Sequence, residues 1–320
     1  MPTQQINTTQ VEDIFDFESQ FLVNEGLPVV ISGAAGKWKS TNTWTLDALS
    51  NQFGSMKIPV RETDDEFNEF SSARAKWLSP RKMMRFYDYI VEIQKTTASG
   101  PRPPYAGNMS ILGDPAISAK LGMLLTECPF PNWLTGKYKD EFRLWIGAVG
   151  QRSTIHNDAY HNFNAQIVGV KQFILFPPDQ HRLLYPQFIH QSLWSSPIDP
   201  KAPNTNSYPL FHESSRFICE LTPGDILFIP KFWWHCAETI RTSINVNRWL
   251  FTTDPDRRWW HQQDTARKLI SYSDLLIFIS EQFNSLEDDV KELQRSKFEN
   301  LLEDINKIIL DLANCETVDN

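Results

Sequence analysis

The sequence predicts a mainly β protein with flanking helices: a β-barrel that carries an α/β N-terminal cap and a helical C-terminal region. Three observations predict it. Between residues 142 and 230, short apolar runs have strand length and composition, among them Phe142-Arg143-Leu144-Trp145-Ile146, Lys171-Gln172-Phe173-Ile174-Leu175-Phe176 and Asp225-Ile226-Leu227-Phe228-Ile229-Pro230. Before them, helical and strand patterns alternate. After Trp259-Trp260, the residues Phe298, Leu301, Leu302, Ile305, Ile308, Ile309 and Leu312 recur at three-to-four spacing, the signature of one helix face.

Residues 9–24 read as a first helix, closed by Asn24-Glu25-Gly26 before the strand Pro28-Val29-Val30-Ile31. A second helix around Leu46 to Phe53 precedes the strand Lys57-Ile58-Pro59-Val60. A third begins at Ser79-Pro80, a cap followed by proline in the first turn, and makes the basic run Arg81-Lys82-Met83-Met84-Arg85 its polar face. The breaker Gly100-Pro101-Arg102-Pro103-Pro104 sets the expected divisions: a cap over 1–100, a barrel over 101–255 and helices over 256–320. The Ser-, Pro- and Asn-rich linker from Pro186 to Pro209 has the length of a loop that shapes access to a site. The C-terminal stripe packs either on its own domain or against a second subunit, since periodicity alone does not separate the two.

With 320 residues, 41% of them hydrophobic, the chain can bury a substantial core. Its net charge of −8 argues against an overall attraction to nucleic acid or anionic membrane. No apolar run is long enough for a bilayer, and Met1-Pro2-Thr3-Gln4-Gln5 lacks a signal-peptide pattern, so a cytoplasmic setting is expected. Cys128, Cys219, Cys236 and Cys315 form no C-x-x-C, and reduced thiols fit that setting.

The residues that carry chemistry are His156-Asn157-Asp158 and, far downstream, His235 in Pro230-Lys231-Phe232-Trp233-Trp234-His235. On a strand, positions two apart share a face, so His156 and Asp158 can reach one ion while Ile155 and Asn157 turn away. Two imidazoles and a carboxylate on one side of a metal leave the opposite positions open, as in non-haem Fe(II) oxygenases. Zinc accepts the same ligand types. An H-x-D triplet alone recurs by chance; its strand context, shared with His235, gives it weight. His161 stands at an odd offset from Asp158 and falls outside the ligand set.

The segment from Ser153-Thr154-Ile155-His156-Asn157-Asp158 through Asn162-Phe163-Asn164-Ala165-Gln166-Ile167-Val168-Gly169-Val170-Lys171 to Phe176-Pro177-Pro178 resembles the JmjC, or cupin-like, family of 2-oxoglutarate-dependent oxygenases. Pro223-Gly224-Asp225, Trp233-Trp234-His235 and Ser243-Ile244-Asn245-Val246-Asn247-Arg248-Trp249 match its second ligand region in the same order. The resemblance covers roughly residues 101–251 and is closest to the branch of protein asparaginyl hydroxylases. It implies a double-stranded β-helix, or jelly-roll, and a metal site in which His156, Asp158 and His235 hold Fe(II). It also implies 2-oxoglutarate as cosubstrate and O2 as oxidant. Lys171 would pair with the distal carboxylate of 2-oxoglutarate; the alternative is a surface lysine in a hairpin. Tyr105 and Ser153 match positions that supply hydroxyls to that carboxylate. Asn162 and Asn247 align near the metal-bound end of the cosubstrate, although asparagines also serve simply to satisfy buried backbone groups. Trp249 matches a position that walls the active site.

The implied reaction converts 2-oxoglutarate and O2 to succinate and carbon dioxide with hydroxylation of a substrate C–H bond. A side chain of a protein or peptide is the expected target. Leu193-Trp194-Ser195-Ser196 stands where asparaginyl hydroxylases carry an Arg-Gln pair, and Gly107 where they carry an amide, which argues against asparagine itself. Demethylation of N-methyl-lysine, hydroxylation of a modified tRNA base and a non-catalytic cupin-like binding module are the alternatives. Relatives dimerise through C-terminal helices, so a homodimer is expected as well.

Overall fold

The computed structural model describes residues 2–9, 26–61, 81–111, 115–130, 138–158, 160–190 and 193–250, all within one compact unit, Met1–Thr253. The expected first helix beyond Thr9, the helix start at Ser79-Pro80, the helical region 256–320 with its stripe, and the homodimer inferred from it lie outside the described residues. In chain order the strands are β1 (Thr3–Gln5), β2 (Asn7–Thr9), β3 (Val29–Ile31), β4 (Lys57–Val60), β5 (Lys82–Arg85), β6 (Ala106–Ser110), β7 (Tyr138–Gly147), β8 (His156–Asn157), β9 (His161–Phe176), β10 (Gln187–His190), β11 (Leu193–Ser195), β12 (Arg216–Leu221), β13 (Ile226–Ile229) and β14 (Trp234–Leu250). The helices are α1 (Lys39–Thr43), α2 (Leu46–Phe53), α3 (Phe86–Lys95) and α4 (Pro115–Leu121).

Two long strands, β9 and β14, pair antiparallel along most of their length and each takes part in two layers. The first half of β9 also pairs with β13, and its second half with β12. From the second half of β14 the first layer extends through β7 to β6, and from β13 it extends through β3 to β2. From the first half of β14 the other layer extends through β8 and β11 to β10, and β1 closes it beside β12. This is the double-stranded β-helix expected of the sequence.

Both long strands bend at one place. Gly169 has a φ of 75°, and the opposing register on β14 shifts between Thr239 and Asn245. A β-carbon at Gly169 would stand 2.2 Å from the Thr242 carbonyl oxygen, so only glycine fits this approach. The irregularity also resets the alternation. Asn162 and Lys171 are an odd number of positions apart, and an unbroken strand would turn them to opposite faces.

On the outer face of the first layer, Phe142, Leu144 and Ile146 of β7 join Phe163, Ala165 and Ile167 of β9 and Ile244 and Val246 of β14 in one apolar core. The helices cover it. The Thr45 hydroxyl caps α2 by accepting from the Ala48 N–H at 3.0 Å, and α2 buries Leu49 and Phe53. α3 buries Phe86, Tyr89, Ile90 and Ile93 at helical spacing. The buried Tyr89 hydroxyl ties helix to sheet: it donates to the Ile146 carbonyl at 2.5 Å and accepts from the Ala106 N–H at 3.1 Å. The alternating residues Arg143, Trp145 and Gly147 are left for the opposite face.

Two local expectations change. Arg81-Lys82-Met83-Met84-Arg85 is not a helix face, because Lys82–Arg85 pairs with Lys57–Val60 and Met84 rests on the core. Good helix formers yield here to strand pairing and burial. The linker after Pro186 is partly ordered as a hairpin of β10 and β11, and β11 pairs with β8. The sequence pattern also missed β1 and β2, which are polar and largely exposed strands with no apolar alternation to betray them.

Candidate metal centre

β8 is only two residues long and is held on both sides. His156 stands opposite His235 of β14 and opposite Ser195 of β11, whose hydroxyl donates to the Ile155 carbonyl at 3.1 Å. The two imidazole centroids are consequently 4.4 Å apart. The Asp158 carbonyl accepts from the Phe232 N–H at 2.7 Å, and one carboxylate oxygen lies 3.8 Å from His235 Nε2. One ligand atom from each of His156, Asp158 and His235 falls within 4.8 Å of the other two.

Ring orientation is set by the backbone. His156 Nδ1 bonds the Thr154 carbonyl at 2.8 Å and His235 Nδ1 bonds the Trp233 carbonyl at 3.0 Å. Each carbonyl can only accept, so each Nδ1 carries the proton and each Nε2 is left as a lone-pair donor, the tautomer a metal requires. Burial, reinforced by the neighbouring His156 imidazole, lowers the pKa of His235 to about 4 against the opposing pull of Asp158. A neutral, buried imidazole is a ligand in waiting. This donor set fits Fe(II) or zinc on one face. His161 is no part of it: its Nδ1 accepts from the Lys231 N–H at 3.1 Å, and its ring stacks on Phe228.

A polar chain runs from the carboxylate. Asn162 Nδ2 donates to Asp158 at 3.4 Å, Asn247 Nδ2 donates to Asn162 Oδ1 at 2.9 Å, and Trp145 Nε1 donates to Asn247 Oδ1 at 2.6 Å. The Trp145 ring also has two other expected residues beside it. Lys171 Nζ lies 5.8 Å from the Trp145 ring centroid and the Tyr105 ring 6.2 Å from it. Trp249, paired with Asn162, touches Tyr160 and Arg143. Asn162 and, through it, Asn247 are thus tied to the triad, Asn247, Lys171 and Tyr105 gather around a tryptophan that the sequence reading passed over, and Trp249 stands opposite Asn162 in the sheet. Trp145 alternates with apolar Leu144 and Ile146, and a tryptophan on the polar side of such a strand is the signal that could have found it.

Lys171 is buried, 3% exposed, on the strand expected to hold it. Burial lowers its pKa to about 7, and among the described residues no acidic side chain is paired with it. It stands opposite Thr239, which shares the face of His235 by alternation and brings a third hydroxyl, one that was not foreseen. Burial raises the pKa of Tyr105, so its phenol stays a donor. The Ser153 hydroxyl accepts from the Ala237 N–H at 2.9 Å and keeps its own proton to give. A cationic ammonium with phenol and alcohol donors suits a carboxylate.

Glycines make room for this cluster. A β-carbon at Gly107 would lie 2.5 Å from the Tyr105 ring, which explains why no amide stands there, and one at Gly147 would press on Tyr105 and Gln151 at 3.0 Å. Gln151 in turn holds the preceding segment, accepting from the Ala148 N–H and donating to the Pro103 and Pro104 carbonyls. Beyond the hairpin, Arg152 pairs with Asp199 and Glu238, and Lys201 with Glu238, pinning the returning linker to the sheet.

Comparison with known proteins agrees with this geometry. Over 244 residues the chain is 26% identical to lysine-specific demethylase 8 of Xenopus tropicalis, covering 73% of this chain and 50% of that protein. It is 35% identical over 119 residues to HSPB1-associated protein 1 of Homo sapiens, 36% of this chain and 24% of that one. It is 22% identical over 242 residues to the human bifunctional peptidase and (3S)-lysyl hydroxylase JMJD7, 69% of this chain and 76% of that one. The chain spans 50% and 59% of the length of the demethylase relatives from Xenopus tropicalis and Danio rerio. The cupin-like domain family matches residues 16–256, which takes in the triad, both long strands and every residue around them, and the chain belongs to that family.

Proposed function

We propose that the protein is an Fe(II)- and 2-oxoglutarate-dependent dioxygenase that hydroxylates a side chain of a protein or peptide. The observation that carries this is the convergence of His156, Asp158 and His235 with both Nε2 atoms presented by backbone-anchored rings. Bound ferrous iron supplies the centre at which oxidation of 2-oxoglutarate to succinate and carbon dioxide is coupled to insertion of one oxygen atom of O2 into a C–H bond.

The chain's own residues divide the remaining work. Lys171, Tyr105 and Ser153 hold the distal carboxylate of the cosubstrate. Asn162 and Asn247 fix the Asp158 carboxylate and line the metal-bound end, and Trp249 walls the substrate side. The burial of Lys171 and His235 keeps bulk water away, which strengthens each polar contact made there. A protein substrate is supported by the relatives, which include a lysyl hydroxylase and lysine-specific demethylases. The demethylase names favour removal of an N-methyl group as the second reading. An intracellular setting is supported by the buried free thiols of Cys128, Cys219 and Cys236, and no described helix is long and apolar enough to cross a membrane.

Anaerobic addition of Fe(II) and 2-oxoglutarate tests the reading. A weak visible charge-transfer band and, on admitting oxygen, succinate release are expected. No band from folded protein would leave only a cupin-like binding module. Mass spectrometry of candidate substrates separates gain of oxygen from loss of a methyl group.

A further inference from the structure

β9 brings a third amide to the site. Phe163 and Ala165 turn outward into the apolar core, so Asn164 between them turns inward, on the face of Asn162. In the sheet it stands between Leu227 of β13 and Asn247 of β14. Residues directly opposite across a strand pair hold their β-carbons about 5 Å apart, which sets Asn164 beside the polar chain that runs from Asp158 to Trp145. The three amides differ in what they hold. Asn162 gives an N–H to Asp158 and takes one from Asn247, and Asn247 takes one from Trp145. Asn164 is 6% exposed, and its Nδ2 has no hydrogen-bond partner among the described residues. A buried donor left unpaired costs free energy, so such a group in a folded protein calls for an explanation.

Asn164 stands between Asn162 and the bend at Gly169, beyond which comes Lys171, so it lies along the way from the triad to the buried ammonium. We propose that Asn164 binds the cosubstrate, its Nδ2 donating to the metal-proximal carboxylate of the 2-oxo acid. This rests on reading the chain as a 2-oxoglutarate-dependent oxygenase. The distal carboxylate already has an ammonium and hydroxyls to meet it, and the methylenes between the two ends accept no hydrogen bond. The 2-oxo acid end is the acceptor that remains. A hydrogen bond to an ionised acceptor away from bulk water is among the strong ones, which suits a donor kept waiting in a buried place. Asn164 Nδ2 bonds none of the three candidate metal ligands, so its work is on the 2-oxo acid and not on the metal.

The test uses the full chain loaded anaerobically with Fe(II) and titrated with 2-oxoglutarate or with 2-oxobutyrate, which keeps the 2-oxo acid end and lacks the distal carboxylate. Affinity is read from the visible band. Asn164→Leu, close in size, should weaken both ligands by about tenfold or more, and Asn164→Gln, which keeps a donor, should recover part of the loss. Calorimetry with Fe(II) alone should give the same affinity for all three proteins. The melting temperature of metal-free Asn164→Leu should equal or exceed that of the wild type, since no bond is lost. Asn164→Ala repeats the affinity comparison should the leucine variant not fold. Unchanged affinity for 2-oxoglutarate in a folded variant overturns the assignment, and so does a loss that 2-oxobutyrate does not share, which would move the contact to the distal end. A lower melting temperature of the metal-free leucine variant would make the amide part of the fold and overturns it as well. The two ideas fail differently: no band from folded wild type refutes the oxygenase reading, whereas a wild-type band that Asn164→Leu forms at the same ligand concentration refutes the Asn164 contact alone.

Discussion

Replacing Lys171 with methionine should stabilise the metal-free, cosubstrate-free protein at neutral pH and remove most of its affinity for 2-oxoglutarate. Burial moves the Lys171 pKa from 10.5 to about 7, a difference worth ~5 kcal/mol at ~1.4 kcal/mol per pH unit. Below the folded pKa both folded and unfolded chains carry the ammonium, and the whole cost of burying it is present. Between about pH 7 and 10.5 the unfolded chain keeps a proton that the folded chain has lost, so wild-type stability rises with pH. Methionine removes this dependence and keeps the packing beside Trp145. Urea unfolding of both proteins between about pH 6.5 and 9 should therefore show the variant ahead by a few kcal/mol at the acid end and the gap closing by ~1.4 kcal/mol per pH unit. A gap that stays flat with pH would place the ammonium in solvent and refute the reasoning. Cosubstrate reverses the sign. Its carboxylate restores the charge, so calorimetric titration above pH 7 in two buffers should report proton uptake by the wild type and none by Lys171→Met.

His156→Ala should abolish succinate formation while leaving the melting temperature nearly unchanged; normal turnover would remove His156 from the ligand set. Gly169→Ala should cost about 2 kcal/mol or more, since the added carbon meets the Thr242 carbonyl at 2.2 Å in a strained backbone, and a neutral result in thermal melting would deny the close approach at the bend. Tyr89→Phe should cost about 1–3 kcal/mol in urea unfolding, because two buried backbone groups lose a partner. A loss below about 0.5 kcal/mol would mean that strand pairing satisfies them unaided.

The candidate metal ligands were legible because they obey strand alternation at close range: His156 and Asp158 sit two apart, and His235 follows soon after an apolar strand. The helix at Leu46–Phe53 and the strand at Lys57–Val60 were legible for a similar reason, since Thr45 caps the one and alternation marks the other. Lys171 needed the family resemblance, because a lysine on an apolar strand reads equally as a hairpin surface. What stayed hidden depends on partners distant in sequence. The Lys82–Arg85 strand exists because Lys57–Val60 lies beside it. Trp145 matters because Asn247, Lys171 and Tyr105 arrive around it, and the parity change at Gly169 becomes visible only when the facing strand shows its register shift. Arg81 and Arg143 come from separate segments to meet at the Asn108 carbonyl, which no local pattern announces.

His156 and His235 are both steered by the carbonyl two residues upstream, just before their own strand. Steering by main chain is indifferent to which side chains occupy the steering positions. Mutational drift can therefore remodel the rim, the hairpin facing His156 or the tryptophan wall without turning either imidazole away from its target. A scaffold wired in this manner can exchange one recognition surface for another across its descendants while the chemistry at its centre is inherited intact.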